Sequence, residues 1–171
     1  MISFDNAYQS IPLPDGSIFE GLFPTIEWFN SIADVISFQD QTVLDLGCCM
    51  SSFGIQAVIN DGAKLVIGVD NDRERITQSY LAIDAWNLNN IGVVQQNIED
   101  YNIHSDYDIV IFSMIIHWLK DPQFHIKRLI KHCLSKVVFI FRYSGSSVGY
   151  CPTIEELDSL VGLKRIHNEK L

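Results

Sequence analysis

The chain has 171 residues, of which 47% are hydrophobic and 19% are charged, and its 12 Lys and Arg against 21 Asp and Glu leave a net charge of -9. This composition excludes general disorder, and the negative charge disfavours bulk nucleic-acid binding and anionic membrane surfaces. The length fits one domain, so a single domain over residues 1–171 is the simplest expectation.

The first forty residues (1–40) are predicted to form an N-terminal cover on the rest of the chain. An Asp15-Gly16 turn precedes a stretch in which apolar residues recur at helical spacing between residues 26 and 36. Two interpretations stay open for this segment: a packing extension, or a lid over a ligand crevice. Tyr8 and Trp28 are the residues in it that a ligand would be expected to meet.

Short β-branched and aromatic runs alternate with helical patterns over residues 41–143. Asp72 is positioned to cap one helix, and Asp121-Pro122 is a typical start for another. This order predicts an α/β fold with a doubly wound, mainly parallel sheet and helices on both faces. The predicted strands are 42–46, 65–70, 93–95, 108–112 and 137–141.

Residues 144–171 are expected to supply a C-terminal loop, a helix and an edge strand. The apolar stretch 109–119 is interrupted by polar residues and is shorter than the roughly 18 residues of a spanning helix. The first ten residues include no basic residue, so no targeting peptide is predicted and a cytoplasmic protein is the expectation. The cysteines show no C-x-x-C spacing and the histidines are scattered, so we expect reduced thiols and no metal site.

Acidic residues mark the ends of the first two predicted strands of the core. Asp45 precedes Gly47 at the end of the first strand, and Asp70 closes the second. The carboxyl ends of parallel strands form the crevice of an open α/β sheet, and an acid at the end of the second strand can accept hydrogen bonds from a ribose diol. The pattern therefore favours a nucleoside ligand.

The string VLDLGCCMSSFG, followed by VIGVDND, VVQQNIEDY, DYDIVIFSMIIHWL and KVVFIF, resembles the successive motifs of class I S-adenosylmethionine-dependent methyltransferases. The resemblance spans about residues 42–142, and its specific parts are the opening motif and the acid that closes the second strand. It implies a Rossmann-like methyltransferase fold with S-adenosylmethionine as cofactor.

The resemblance also implies which residues contact that cofactor. Asp45, Gly47, Cys49 and Met50 would face its methionine portion, and Asp70 would bind both ribose hydroxyls. The remaining implied contacts are Asn71 beside the adenine, Asn97 at the adenine amino group, Ile98 through its backbone, and Ser113 near the sulfonium.

The chain departs from the family pattern in two places. Cys49 and Ser51 stand where the family has glycines, and each adds a Cβ beside the ligand in a loop that favours positive φ. The loop keeps only the first glycine of G-x-G-x-x-G, which disfavours a dinucleotide such as NAD. The chain is also expected to lack the last antiparallel strand, so either it is a minimal or truncated version of the family, or a second copy or a partner completes the open sheet edge.

His117 is the predicted catalytic residue. It follows the fourth strand of the core, where many small-molecule relatives carry a histidine that faces the acceptor, and histidine ordinarily titrates in the range that suits a general base. The alternative is a half-buried histidine that only packs and hydrogen-bonds locally. Trp118 beside it is expected in the core or in the crevice wall.

The predicted function is S-adenosylmethionine-dependent methyl transfer to an unidentified acceptor, with a small molecule favoured. DNA is disfavoured because of the charge and because no Asn-Pro-Pro-Tyr or Asp-Pro-Pro-Tyr motif follows the fourth strand. RNA or a protein side chain remains open through a basic patch of Lys127, Arg128 and Lys131. The alternative from another class is a non-catalytic binding module or scaffold completed by a partner.

Overall fold

The computed structural model describes residues 7–140 and 153–161. The predicted loop at 144–149 and the predicted edge strand at 162–171 lie outside these residues. The described elements, in chain order, are β1 (Ile11–Pro12), β2 (Ile18–Phe19), α1 (Thr25–Ala33), β3 (Thr42–Leu46), α2 (Ser52–Asp61), β4 (Leu65–Asp70), α3 (Arg73–Ala85), β5 (Ile91–Gln95), β6 (Tyr107–Ser113), a 3₁₀ turn η1 (Ile116–Trp118), α4 (Pro122–Ile130), β7 (Cys133–Ile140) and α5 (Ile154–Val161).

Strands β3 to β7 form a parallel sheet in the order β5-β4-β3-β6-β7. The chain moves outward from β3 to β5 and then crosses back to β6, so the strand order reverses between β3 and β6. Leu46 pairs with Val69 on one side and with Phe112 on the other, which brings the carboxyl ends of three strands level. This is the position at which open α/β sheets bind ligands.

Alternate residues of each strand enter apolar clusters on opposite faces of the sheet. Leu44 and Phe112 pack in a cluster with residues of α4 and α5, whereas Val43 and Ile111 pack in a cluster with residues of α1 and α2. Burial on both faces explains the near-continuous apolar runs of these strands. The predicted α/β fold with a parallel sheet covered on both faces is confirmed.

Two predicted helix starts are confirmed by side-chain caps. The Asp72 carboxylate accepts hydrogen bonds from the backbone of Glu74 and Arg75, and the Asp121 carboxylate accepts one from Phe124. Each cap satisfies an N–H group that has no partner within its helix. Helix α1, in contrast, ends at Ala33, three residues before the end of the apolar stretch at residue 36.

The N-terminal cover has more structure than its sequence predicts. Residues 7–25, here called the N-terminal strap, form a hairpin of two short antiparallel strands, β1 and β2, closed by the Asp15-Gly16 turn. Gly21 packs so closely on the strap's other arm that a Cβ would lie 2.2 Å from the Gln9 carbonyl carbon. A larger residue at position 21 would therefore push the two arms apart.

The strap is tied to the sheet and its helices by polar contacts. The Ser10 carbonyl accepts hydrogen bonds from the Ser52 hydroxyl at 2.6 Å and from the Thr25 hydroxyl at 2.8 Å, and the Trp86 indole donates to the Pro12 carbonyl at 2.8 Å. Ser52 begins α2, so these contacts hold the strap over the carboxyl end of β3. Within residues 7–140 and 153–161, no helix has the length and apolarity needed to cross a membrane.

Candidate functional site

The loop between β3 and α2 turns sharply at Gly47, whose φ is 79°. A Cβ at Gly47 would lie 2.8 Å from the Ser113 carbonyl oxygen, so glycine is required there for both conformation and space. Cys49 and Ser51 also have positive φ, 50° and 60°, although both carry side chains. Such backbone strain costs on the order of 1–3 kcal/mol per residue and persists only where neighbours hold it in place.

Two neighbouring elements hold this strained loop. The Cys49 N–H donates to an Asp70 carboxylate oxygen at 2.9 Å, and the Cys49 carbonyl accepts from the Ser79 hydroxyl at 2.9 Å. The hydroxyls of Ser51 and Ser79 lie 3.2 Å apart. The end of β4 and the helix α3 therefore hold the loop in its strained conformation.

Asp70 keeps acceptor positions free for a ligand. One carboxylate oxygen accepts from Cys49 and the other accepts from the Asp72 N–H at 2.9 Å. A carboxylate has about four lone-pair positions, so each oxygen can accept one further hydrogen bond. A ribose diol would supply two donors, and Asp70 therefore fits the sugar of the predicted cofactor.

Asp45 is a buried acid without a partner. It is 1% exposed, and neither carboxylate oxygen has a hydrogen-bond donor in the described part of the chain. Burial, followed by the charge of Asp70, raises the pKa of Asp45 to about 7. A cationic group nearby would stabilise the ionised form, which suits a ligand that carries a sulfonium and an ammonium group.

A small cavity of about 30 Å³ lies between the strap and the carboxyl ends of β3 and β6. We call it the strap cavity. This volume is far below the about 300–1,000 Å³ typical of small-molecule sites, so the methionine end of the cofactor would need more space than the cavity offers in this structure. The described residues that line it are Tyr8, Gln9, Phe23, Thr25, Trp28, Gly47, Cys49, Ser113 and Met114.

Aromatic rings form the strap side of this cavity. The ring of Phe23 lies 4.6 Å from that of Tyr8 and 5.6 Å from that of Trp28, centroid to centroid. The Arg75 guanidinium carbon lies 5.4 Å from the Tyr8 centroid, so that ring already contacts a cation. Aromatic faces accept apolar and cationic groups, and the location of Tyr8 and Trp28 agrees with the lid interpretation of this segment.

The structure brings Gly47, Cys49 and Ser113 together around the strap cavity. These three residues were predicted to face the methionine and sulfonium end of the cofactor. The Met50 side chain is instead wholly buried in an apolar cluster, and its N–H donates to the Gln9 side chain at 3.1 Å. Met50 could therefore contribute to a cofactor site only through its backbone.

The residues predicted to contact adenine follow β4 and β5, away from the strap cavity. Asn71 and Asn97 are exposed, and the Asn97 side-chain oxygen accepts from the Glu99 N–H at 3.0 Å. Ile98 is buried and its carbonyl accepts from the Arg128 guanidinium at 2.8 Å. The Ile98 N–H is thus the backbone group left to meet an adenine, and these three roles stay predictions.

His117 lies in η1, past the end of β6. It is not among the described residues that line the strap cavity, so its role as general base also stays a prediction. Its ring centroid is 5.2 Å from that of Trp118. Trp118 is 67% exposed, so of the two predicted locations the core is wrong, and the crevice wall stays a prediction.

The alternative chemistries weighed from the sequence find little support among the described residues. No group of three or more His, Cys, Asp or Glu in residues 7–140 and 153–161 could hold a metal ion. Burial raises the pKa of Cys48 well above its ordinary value and that of Cys49 to about 12, which disfavours a thiolate nucleophile. The Arg128 guanidinium donates to the carbonyls of Ile98, Glu99 and Tyr101, so it belongs to the fold and not to a free basic patch.

Four cavity residues were not predicted from the sequence: Gln9, Phe23, Thr25 and Met114. Gln9, Phe23 and Thr25 lie in a segment without hydrophobic periodicity, and only its folding back onto β3 brings them to the site. Met114 directly follows a predicted strand and has a φ of 52°. The only sequence feature that could have pointed to Met114 as a site residue is its position just after the fourth strand of the core.

Cys49→Gly is expected to tighten S-adenosylhomocysteine binding several-fold. The change relieves the strain of positive φ and removes a side chain from the strap cavity. Isothermal titration calorimetry measures the change in affinity. Cys49→Ala is the matched control because it removes the sulfur and keeps the Cβ and its strain. Weaker binding by Cys49→Gly would show that the thiol contacts the ligand.

Comparison with known proteins gives a family match over most of the chain. Residues 37–169 match the family model described as a methyltransferase domain. The match includes β3 to β7 and the loop with Gly47, Cys49 and Ser51, and it leaves out the strap.

A curated relative and several solved structures are also similar. The chain is 25% identical over 89 residues to a probable (S)-tetrahydroprotoberberine N-methyltransferase 2 from Papaver bracteatum, covering 52% of this chain and 25% of that protein. It spans about a quarter of the length of the curated relative it matches.

Two solved structures share the fold at low identity. Coclaurine N-methyltransferase bound to N-methylheliamine and SAH matches with a TM-score of 0.58 and 19% identity, over 67% of this chain and 36% of that one. A SAM-dependent methyltransferase from Aquifex aeolicus matches with a TM-score of 0.61 and 14% identity, over 78% and 76%. At these identities the likeness shows the fold.

Proposed function

Because the chain belongs to the methyltransferase domain family, we propose that it transfers the methyl group of S-adenosylmethionine to a small-molecule acceptor. The proposal rests on three features that lie side by side at the carboxyl ends of the strands. Asp70 has free acceptor positions at the end of β4, the bend at Gly47 follows β3, and the strap cavity opens between Gly47 and Ser113.

The cofactor, when bound, supplies a methyl group already activated on a sulfonium, so alignment of the acceptor is the main task left to the protein. Asp70 would bind the ribose, and the loop at Gly47 and Cys49 would orient the amino-acid end. Tyr8, Phe23 and Trp28 would exclude water from the methyl group. None of these roles requires a side chain to gain or lose a proton.

His117 is proposed as the general base for an acceptor that must lose a proton. It follows β6 at the same end of the sheet as Ser113. A histidine ordinarily titrates near neutral pH, which suits this task. The role predicts that His117→Ala lowers kcat without changing S-adenosylhomocysteine affinity, and an unchanged kcat would remove it.

A nitrogen acceptor on an apolar body is the first class to test. The curated relative and one structural neighbour are named as N-methyltransferases. The aromatic side of the strap cavity suits an apolar body and the positive charge that a methylated amine acquires. RNA and protein acceptors are less favoured since the net charge is -9 and Arg128 is engaged within the fold.

The second candidate is a non-catalytic module that binds the cofactor, or a scaffold whose open sheet edge is completed by a partner or second copy. Cys49 and Ser51 favour it because both add side chains to the loop where the cofactor would lie. Light scattering would show whether a second copy completes the edge.

Thermal melting with S-adenosylhomocysteine and with NADH separates these functions. A ligand at about a hundred times its Kd stabilises the folded state by about 2.7 kcal/mol, so S-adenosylhomocysteine is expected to raise Tm while NADH leaves it unchanged. Absence of any shift at millimolar S-adenosylhomocysteine would contradict the proposal. Binding without transfer of a labelled methyl group from S-adenosylmethionine to any amine tested would favour the non-catalytic module.

A further inference from the structure

Gln9 of the N-terminal strap holds the first turn of α2. Its side-chain oxygen accepts hydrogen bonds from the Met50 N–H at 3.1 Å and from the Ser52 N–H at 3.3 Å. Only the oxygen of a carboxamide can accept from two N–H groups, so the orientation of this amide is fixed by its donors. The NH₂ group is therefore turned away from Met50 and Ser52.

This NH₂ group has no acceptor among the described residues. Gln9 is 3% exposed, and its hydrogen bonds in the described part of the chain all run through the oxygen. The residue lines the strap cavity together with Gly47 and Cys49. The Gln9 side-chain nitrogen is not among the fully buried polar atoms without a partner, so it borders open space, where an acceptor atom of a ligand could reach it.

The surroundings of Gln9 favour an anion as that ligand. The first N–H groups of a helix carry the positive end of its dipole, and Ser52, the first residue of α2, directs one such group at the Gln9 oxygen, while the Met50 N–H, just before the helix, directs a second donor at it. Hydrogen bonds in a chain polarise one another, so these donors strengthen the N–H bonds on the other end of the amide. A carboxylate is the acceptor that gains most from this arrangement.

The backbone around Gln9 is held in place before any ligand binds. Gly21 packs against its carbonyl carbon with no room for a Cβ, and the next residue, Ser10, accepts hydrogen bonds from Thr25 and Ser52. The amide therefore loses little conformational entropy when it binds a ligand.

We propose that Gln9 binds the carboxylate of the cofactor's amino-acid tail through its side-chain N–H groups. This inference rests on the proposed function, which places that tail against Gly47 and Cys49. The strap thereby becomes part of the cofactor site, with one side chain that joins the tail to the first turn of α2.

Gln9→Glu is the sharpest test. The carboxylate of the variant can still accept from Met50 and Ser52, and an acid is favourable at a helix N-terminus, so the fold is retained. The variant has no N–H donor and would repel a carboxylate. We expect at least about tenfold weaker binding of S-adenosylhomocysteine, while methylthioadenosine, which lacks the amino-acid tail, binds within about twofold of wild type.

Calorimetry on the whole chain measures both ligands, with a melting curve as the check on folding. Gln95→Glu is the matched control because it introduces the same charge at an exposed position. Gln95 ends β5 and is the register partner of Asp70 in β4. This control should leave the ratio of the two affinities unchanged. Gln9→Met, which removes the donors without adding charge, should lower the same ratio by a smaller factor.

Equal weakening of both ligands by Gln9→Glu, or no weakening of either, would overturn the role of Gln9 while the proposed function stands. A wild-type chain that binds methylthioadenosine but not S-adenosylhomocysteine would also overturn it. Failure of the wild type to bind either ligand would overturn the proposed function and this inference with it.

Discussion

Asp70→Ala is expected to weaken S-adenosylhomocysteine binding by at least about a hundredfold. The change removes two charge-assisted hydrogen bonds to the ribose, each worth about 1.5–3 kcal/mol. It also leaves the N–H groups of Cys49 and Asp72 without their acceptor. The Cys49 N–H is part of the strained loop, so the loop would lose one of the contacts that hold its positive φ.

Calorimetric titration with S-adenosylhomocysteine measures this effect, and two further variants divide it into its causes. Asp70→Asn keeps one acceptor oxygen and loses the charge, so it should retain part of the affinity. Asp72→Ala removes the cap of α3 and should lower the free energy of unfolding by about 1 kcal/mol while leaving the affinity nearly unchanged. Tight binding by Asp70→Ala would show that the nucleoside lies elsewhere.

The parallel sheet could be predicted because its strands are short, apolar and buried on both faces. The helix starts at Asp72 and Asp121 were predicted from the residue types beside them, and the structure confirms both. Helix α2 was not among the predicted helices. It begins after Ser51 in the left-handed region without a side-chain cap, and its first six residues are all buried, so it has neither a clear start signal nor a polar face.

The strap could not be predicted in detail because its contacts join distant parts of the chain. Gln9 and Met50 are 41 positions apart, and Thr25 and Ser52 are 27 apart. Strands of two residues, as in β1 and β2, are too short to show alternation. Long-range hydrogen bonds of this kind leave no periodic trace in the sequence.

The site was predicted in part, and the steric argument about its loop explains why. Gly47 and Asp70 follow from a motif whose physical reason is local: a turn after one strand and an acid after the next. The same argument predicts that side chains at Cys49 and Ser51 oppose positive φ, yet both residues adopt it. Hydrogen bonds to Asp70 and Ser79, which the sequence alone does not place, supply the compensation.

Asp45→Asn is expected to stabilise the protein at and above neutral pH, and to leave its stability nearly unchanged only below about pH 4. The carboxyl group titrates with an ordinary pKa of 3.8 when unfolded and a pKa of about 7 when buried in the fold. Between these values the native state holds a proton that the unfolded state has lost. The free energy of unfolding therefore falls as pH rises through this window, by an amount on the order of 4 kcal/mol, and stays low above it.

Urea unfolding of wild type and Asp45→Asn at a series of pH values from about 3.5 to 9 measures the difference between their stabilities. Asp108 provides a control of opposite sign because hydrogen bonds from the Thr42 backbone and hydroxyl lower its pKa. Asp108→Asn should therefore cost stability at neutral pH, and the loss should shrink as pH falls through the native pKa of that carboxyl. Parallel stability curves for wild type and Asp45→Asn would show that Asp45 is ionised and solvated.

The same Asp45→Asn variant should bind S-adenosylmethionine less tightly while binding methylthioadenosine as wild type does. The ionised Asp45 carboxylate has no donor among the described residues, so a cationic cofactor would be the group that stabilises its charge. Methylthioadenosine carries neither the sulfonium nor the ammonium group and should not respond to the change. If the cofactor supplies the missing partner of Asp45, as this variant tests, that binding would account for a carboxylate that costs stability at the end of β3.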